Sequence, residues 1–382
     1  MTAKTRPQST NVSQPQNDTI RQSYLRLAWW RFKKNRLAVM GGVVVISFYF
    51  VCVLAAEFFA PYSLEHMSDY LEAPPQQLHF IDAEGRFSLT PFVYGYVEVV
   101  DRQLMRRTYE IDTTRTYPIY LFVRGEPYRF LGLFETDIHL FGTDPADPEA
   151  HVYLFGTDRL GRDMFSRILY GGRLSLLIGL SGQLMTLFFG TVLGAISGYY
   201  RGIIDTVVQR ATEFLSAFPD IPLFLALAAA IPPQWSPIAV YFMLTVILSF
   251  VRWGSLARQV RGLILSLRER EYVLAAQSFG TSDSAILFRH LIPGTLSHVI
   301  VIATLAIPGM ILAETALSFL GLGLRPPLTS WGVLLQEVSN IRAIRFAPWL
   351  LIPVPFVITV ILAFNMLGDG LRDALDPYSG QS

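Results

Sequence analysis

The chain has 382 residues, of which 52% are hydrophobic and only 16% are charged, and its formal net charge is +1. Soluble domains carry about 25% charged residues, and several apolar runs here reach the ~20 residues that span a bilayer, so the composition excludes an ordinary soluble protein. The single cysteine, Cys52, excludes an intrachain disulfide. None of the three lysines, Lys4, Lys33 and Lys34, follows a glycine-rich loop, which excludes a phosphate-binding loop and hence nucleotide hydrolysis by this chain.

The N-terminal part combines a polar tail with a membrane anchor. Residues 1–22 are rich in Gln, Thr, Ser and Asn, which predicts disorder. Residues 23–36 interleave tryptophans with arginines and lysines, which predicts an amphipathic helix in the lipid headgroup region. A simple positive anchor is the alternative, and either interpretation places this end in the cytoplasm. The apolar run 37–60 is the first predicted transmembrane helix, and Pro61 ends it.

A polar insertion follows at residues 61–150. β-branched and aromatic residues alternate with charged ones in four segments, which predicts a small, mostly β extracytoplasmic subdomain. The segments are Phe92–Val100, Tyr109–Asp112, Tyr117–Arg124 and Tyr128–Phe134. The insertion could bind an extracytoplasmic protein, shape the entrance to a pathway, or serve only as a structural addition.

The remaining residues, 151–379, predict five more spanning helices. They are 174–199, 206–231, 238–256, 294–320 and 349–367. The predicted fold class is therefore an all-α polytopic membrane protein with six transmembrane helices and a β insertion between the first and second. Six spans place both termini on one side, and the bias of basic residues places that side in the cytoplasm.

Several residues inside these spans are candidates for packing or for a pathway. Gly190, Gly194 and Gly198 recur every four residues, which is typical of a helix that another helix approaches closely, either fixed or moving. Glu314 is the best intramembrane candidate for a substrate path, with a hydrogen-bonded structural carboxyl as the alternative. Glu213 lies near the cytoplasmic end of its span, which favours an interhelical or snorkelling role.

The loop 257–293 has the most informative pattern. Tyr272, Ala275, Ala276 and Phe279 recur at helical spacing, which predicts a short amphipathic helix. Gly280 is a typical residue at a helix C-terminus. Ser282 and Asp283 are cap-type residues that open a second short helix, and Pro293 begins the next apolar run. The sequence therefore predicts a helix, a glycine break and a helix at the membrane surface.

This loop resembles the coupling loop of ABC-importer permeases, whose pattern is Glu-Ala-Ala, three residues, Gly, and nine residues to Ile-x-Leu-Pro. Ala275, Ala276 and Gly280 are in register, and Leu291-Ile292-Pro293 closes the motif. Leu274 stands at the Glu position, and Glu271 lies one turn earlier. Three further strings, at 154–173, 318–332 and 368–377, are similar to the peptide/nickel, C-type subgroup of these permeases.

The resemblance implies a transport subunit of an ATP-driven importer in a bacterial or archaeal inner membrane. It implies a homologous second permease, two ABC ATPase subunits that bind ATP and Mg²⁺, and an extracytoplasmic substrate-binding protein, with no cofactor in this chain. Residues implied to couple this chain to the ATPases are Glu271, Ala275, Ala276, Gly280, Ser282, Asp283, Arg289 and Pro293.

Two rival hypotheses come from other classes. A stand-alone secondary transporter or channel needs its own buried ionisable groups near the membrane midplane, and the spans here are nearly free of charge. A receptor or sensor needs a cytoplasmic signalling domain. We expect membrane lipid but no nucleic acid as a partner, and no metal site, because the His, Cys and acidic residues lack metal-ligand spacing. Peptides, nickel chelates and oligosaccharides all remain open as substrates.

Overall fold

The computed structural model describes residues 24–101 and 106–375. This part of the chain is mostly helical, with β-strands inserted between the first and second long helices. The tail 1–22, predicted to be disordered, and residues 376–379 of the predicted permease core lie outside the described residues.

The N-terminal segment forms two helices that are separated at Asn35. α1 (Tyr24–Lys34) covers the predicted interfacial helix, and the Lys34 ammonium lies 3.4 Å from the centroid of the exposed Trp30 ring. The Asn35 side chain accepts a hydrogen bond from the Ala38 N–H at 3.2 Å and so caps the next helix. Aromatic rings and cations therefore share one exposed surface, as an interfacial helix requires.

The first apolar run is not one regular helix. α2 (Arg36–Phe48) continues as a π-helical segment, Tyr49–Leu54, and a short α3 (Ala56–Phe59) follows. The predicted span 37–60 is thus interrupted at Ala55, whose N–H bonds to the carbonyl oxygen of Phe50, five residues earlier.

The insertion is mostly β, as the alternation of residue types predicts, and its strands form two antiparallel sheets. The predicted segments 92–100 and 109–112 lie within β2 and β3, whereas 117–124 and 128–134 each cross a break between strands, so their limits were wrong. β1, β2 and β3 form one sheet in that order, and β4 and β5 form the other. Their limits are β1 His79–Ile81, β2 Phe87–Asp101, β3 Arg106–Pro118, β4 Tyr120–Phe130 and β5 Phe134–Gly142. A small core of Val93, Tyr117, Ile119 and Val152 holds the first sheet against the chain that leads back to the helices.

Glu126 on β4 attaches the second sheet to the segment after α3. Its Oε1 lies 2.6 Å from His66 Nδ1, and its Oε2 accepts the Ser63 N–H at 3.1 Å. The hydrogen bond from His66 lowers the pKa of Glu126 to about 2.

This attachment should weaken in acid. Because the pKa of Glu126 is lower in the folded chain than its ordinary value of 4.5, the contact stabilises the insertion above about pH 4.5 and is lost as the pH falls toward about 2. We expect hydrogen exchange around Ser63 and β4, corrected for intrinsic rates, to rise between pH 5 and pH 3. Glu126→Gln should exchange faster at neutral pH and lose most of this pH dependence. The control is Glu135→Gln, which removes an exposed carboxylate paired with Arg129; equal behaviour of the two variants would contradict the prediction.

The second half of the chain consists of ten helices within the described residues. They are α4 (Met164–Tyr200), α5 (Gly202–Ser216), α6 (Asp220–Ala229), α7 (Pro237–Leu267), α8 (Glu271–Ser278), α9 (Asp283–Ile286), α10 (Ile292–Phe319), α11 (Trp331–Gln336), α12 (Ile341–Phe346) and α13 (Pro353–Leu375).

Two of these helices are longer than the spans predicted for them. The predicted span 174–199 lies inside α4, which begins earlier because Asp163 accepts the Ser166 N–H at 2.7 Å and caps it. The predicted span 238–256 lies inside α7, so residues 257–267, predicted as loop, are helical. Their arginines reach from the helix surface to polar partners, as Arg258 does to Ser216 Oγ at 3.0 Å. Positive charge therefore did not mark the end of the helix.

The predicted span 206–231 is divided into α5 and α6, which are bent by 90°. Pro219 lies at the break and cannot donate the hydrogen bond that would continue the helix. Among the described residues, five helical segments are long and apolar enough to cross a membrane, and a sixth is obtained if the bent pair forms one span.

The last two predicted spans also differ in their limits. Helical structure is continuous from Asp283 to Phe319, so no loop separates the second short helix from the predicted span 294–320. The predicted span 349–367 corresponds to a 3₁₀ turn, Pro348–Leu351, followed by α13, which continues to Leu375.

A buried ionic cluster joins the turn before α4 to the segment after α11. Arg167 pairs with Asp158 and, at 2.8 Å, with Glu337 Oε1. Arg162 pairs with the same Asp158 at 2.7 Å. The Trp349 indole N–H also donates to the Thr157 carbonyl oxygen at 2.9 Å. Buried charges are tolerated only when paired and hydrogen-bonded, so this cluster fixes one end of the bundle.

Candidate functional site

The predicted helix–glycine–helix segment is formed by α8 and α9. Gly280 has a φ of +75°, a conformation that favours glycine. Its N–H bonds to the Gln277 carbonyl oxygen at 2.9 Å, and the Thr281 N–H bonds to that of Ala276 at 3.1 Å. This pair of bonds is the Schellman motif that ends a helix, so the sequence signal at Gly280 has a defined structural cause.

The second short helix, α9, is attached to the bundle through Asp283. Ser282 occupies the N-cap position of α9, but its side chain makes no capping hydrogen bond. Asp283 instead accepts a hydrogen bond from the Tyr199 hydroxyl, at 2.6 Å, at the end of α4. This hydrogen bond therefore connects α9 to α4.

A π-helical segment, Leu287–Leu291, connects α9 to α10. The Ile292 N–H bonds to the Leu287 carbonyl oxygen, five residues back. Pro293 follows directly and has no N–H to donate. The π-helical turn therefore lies next to a position where the usual i to i−4 hydrogen bond is missing. Arg289 is exposed on this segment. Motion of α9 can thus pass into α10 without an intervening loop.

One side of the two short helices is buried against the bundle. Val273 and Ile286 are both 0% exposed, and each buried aliphatic side chain contributes about 1.5–3 kcal/mol. Leu287 and Leu291 extend the same contact. The partners on the long helices are Ala195, Tyr199, Leu256, Val260 and Ile264. The two short helices therefore share one buried apolar cluster with α4 and α7.

The opposite side of α8 is an exposed, mostly apolar surface, which we call the docking face. It consists of Glu271, Tyr272, Leu274, Ala275 and Phe279. Phe279 is 89% exposed, and Tyr272 and Leu274 are about half exposed at 48% and 49%. In the predicted stripe of Tyr272, Ala275, Ala276 and Phe279, only Ala276 is partly buried in the core. The apolar stripe thus points away from the bundle, and such exposed apolar patches mark interaction sites.

A polar network behind α8 and α9 was not predicted from the sequence. The Asp205 carboxylate pairs with the Arg261 guanidinium through two contacts of 2.6 Å. The Ser197 hydroxyl donates to Asp205 at 2.5 Å, and Arg268 Nη1 donates to the Tyr199 carbonyl oxygen at 2.6 Å. These partners are far apart in the chain, so no local pattern could indicate them. The network joins the ends of α4, α5 and α7.

Loss of the Tyr199 hydroxyl should loosen α9. A hydrogen bond to a charged group contributes about 1.5–3 kcal/mol, so Tyr199→Phe should raise hydrogen exchange of residues 281–286 several-fold. The neighbouring Tyr200 is 43% exposed, and Tyr200→Phe is the matched control. If both variants exchange alike, Asp283 is not held by Tyr199.

The predicted glycine stripe lies on the face of α4 that contacts α7. A Cβ at Gly190 would lie 2.9 Å from Leu256 Cβ, and one at Gly198 would lie 2.9 Å from the Arg261 carbonyl oxygen. At Gly194 the distance to the Ala257 carbonyl oxygen would be 2.5 Å. Absence of side chains here lets the two backbones approach closely.

Comparison with known proteins identifies the family. Residues 190–379 match the family described as binding-protein-dependent transport system inner membrane component, and residues 23–75 match the N-terminal TM domain of oligopeptide transport permease C. The oligopeptide transport system permease protein OppC of Haemophilus influenzae is 40% identical over 261 residues, which cover 68% of this chain and 81% of that protein. The chain belongs to this family of membrane permeases.

Other relatives of the permease carry similar names. The dipeptide transport system permease protein DppC of Alkalihalophilus pseudofirmus is 42% identical over 58% of this chain and 71% of its own length. The glutathione transport system permease protein GsiD of Pectobacterium atrosepticum is 42% identical over 59% and 73%. These relatives are permeases of transport systems, which disfavours the stand-alone transporter or channel.

The two acidic residues predicted inside the spans have different surroundings in the permease. Glu314 is 1% exposed and accepts hydrogen bonds from Ser318 at 2.7 Å and from Ser175 at 2.9 Å. Ser175 also accepts the Trp331 N–H at 3.2 Å, so the carboxyl joins α4, α10 and α11. Glu213 is exposed and pairs with Arg210 at 2.8 Å. Within the described residues, no group of three or more His, Cys, Asp or Glu side chains could hold a metal ion.

One charged residue of the spans was missed by the sequence analysis. Arg252 lies inside the predicted span 238–256, where its charge alone is an unusual signal. Its Nε is buried and has no hydrogen-bond partner in the part of the chain that the structure describes.

Proposed function

We propose that this permease is the membrane subunit of an ATP-driven ABC importer for peptides and forms half of its translocation pathway. The main support for the proposal is the docking face, a mostly apolar exposed surface on α8, which packs together with α9 against α4 and α7. Relatives named for oligopeptides, dipeptides and glutathione support peptides as the substrate class.

The docking face would bind a groove on an ATPase subunit, with Phe279 as the main apolar anchor and Glu271 at its edge. ATP and Mg²⁺ would bind in the ATPase, since this chain has no phosphate-binding loop. Closure of two ATPases on ATP would displace α8 and α9, and the Tyr199–Asp283 bond would transmit the motion to α4. Such coupling requires that nucleotide state and bundle state share free energy through this contact.

The proposed topology has six spans, with α5 and α6 together forming the third. Both termini and the docking face lie in the cytoplasm, and the β insertion lies outside. The basic residues of α1 and of the segment around α8 support this orientation. The complex would contain a homologous second permease, two ATPases and an extracytoplasmic binding protein in a bacterial or archaeal inner membrane.

Co-purification tests the proposal. We expect the tagged permease, solubilised gently, to bring down a second permease and two ATPases. Reconstituted with its binding protein, this complex should take up peptides only with ATP. Purification of the permease alone, stable and able to bind substrate, would overturn the proposal.

A further inference from the structure

Arg252 lies in the middle of α7, about 22 Å along the helix from Pro237 at 1.5 Å per residue. A charge at such a position within a spanning helix costs free energy unless it faces protein or water and finds a counter-charge. A residue with only a packing role at this position would not need a guanidinium.

The described residues around Arg252 flank its guanidinium but form no ion pair with it. The guanidinium carbon lies 5.8 Å from the centroid of the buried Phe224 ring on α6. On α10, Gly309 leaves the space that the guanidinium occupies, since a Cβ there would lie 2.6 Å from Arg252 Nη1. Among the described residues the side chain of Arg252 forms no ion pair, although the charge of Asp220 acts on it through space.

The face of α7 that carries Arg252 is polar and open. Ser255 and Gln259 follow it at helical spacing, and both are exposed, while Arg252 itself is partly exposed. Exposed apolar residues of α7 lie on another face, roughly 120° around the helix. They are Ile238, Phe242, Val246 and Phe250. An exposed polar stripe within a span cannot face lipid, so the stripe that begins with Arg252 and Ser255 faces water or a neighbouring subunit.

We propose that Arg252 binds the terminal carboxylate of the transported peptide inside the translocation pathway. A guanidinium presents a planar fork of donors that matches a carboxylate in two parallel hydrogen bonds. Phe224 and Gly309 flank that fork, and the peptide carboxylate supplies the directly paired counter-charge that none of the described residues supplies. This inference rests on the proposed function as a peptide importer.

The test is uptake by the complete importer, with its binding protein, in proteoliposomes. The probes are a set of short alanine-based peptides with a free C-terminus and the same set as C-terminal amides. Arg252→Gln should lower uptake of the free-carboxylate set about tenfold and leave uptake of the amidated set within about twofold, because one pairing worth about 1.4 kcal/mol changes affinity tenfold. Dividing each variant rate by the wild-type rate for the same set cancels the preference of the binding protein.

Two further variants complete the test. Arg252→Lys, which keeps a positive charge, should recover part of the uptake of the free-carboxylate set. Arg258→Gln removes an arginine of the same helix that already bonds to Ser216, and its effect should be equal for both peptide sets.

Three outcomes would overturn the inference. Arg252→Gln could lower uptake of both sets equally, which would assign Arg252 a structural role. It could instead prevent assembly of the complex, which would indicate an ion pair with a neighbouring subunit. If the wild-type importer transports neither set, the proposed function fails, and the inference that rests on it fails with it.

Discussion

Gly280→Asp is expected to abolish ATP-coupled transport while the permease still folds and inserts. The φ of +75° disfavours most residues but is tolerated by aspartate at a cost of about 1 kcal/mol. No atom outside the chain neighbours of Gly280 lies within 4 Å of a Cβ placed there, so the new side chain clashes with nothing in the permease. It would instead project a charge beside Phe279, into the proposed ATPase contact, where an unpaired buried charge is strongly unfavourable.

The measurements are peptide uptake, ATPase stimulation by the loaded binding protein, and recovery of the assembled complex. Gly85→Asp is the matched control, because Gly85 has a φ of +82° and equally open surroundings in a turn of the β insertion. It introduces the same side chain and similar backbone strain far from the docking face. Normal transport by Gly280→Asp would show that α8 and α9 are not the coupling site.

Gly194→Leu is expected to destabilise the permease itself. A Cβ at this position would lie 2.5 Å from the Ala257 carbonyl oxygen and 2.9 Å from the Ala257 Cα. Both are backbone atoms, so no side-chain rotation relieves the clash and α4 must move away from α7. Overpacking costs about 1–3 kcal/mol even where side chains can adjust, and we expect this variant to reach or exceed the upper end of that range.

Yield in membranes and the thermal unfolding midpoint of the purified permease measure this effect. Gly262→Leu is the control, since Gly262 is a helical glycine of α7 with nothing within 4 Å of an added Cβ. Gly190→Ala should lie between the two, because its nearest contacts are atoms of the Leu256 side chain. Equal stability of Gly194→Leu and Gly262→Leu would exclude a close α4–α7 contact at this point.

The sequence by itself determined the features that depend on neighbours in the chain. Apolar runs indicated where the membrane helices lie, although not their limits, because a spanning helix needs only length and hydrophobicity. Alternating residues in the insertion predicted the strands. Gly280 predicted the end of α8, because a left-handed residue at a helix C-terminus is a local backbone requirement.

The tertiary structure decided what depends on distant partners. It placed Phe279 on the exposed side of α8 and Val273 on the buried side. Periodicity leaves this choice open, because apolar residues occur on both sides of the helix. It bonded Glu314 to Ser175 on α4 as well as to Ser318 on its own helix, and it paired Asp205 with Arg261. Charged residues such as Arg258 can follow the end of a helix or lie on its surface, and only the tertiary packing shows which of the two applies. For the same reason only the structure shows that Phe224 and Gly309 surround Arg252, because no spacing in the chain connects these residues to it.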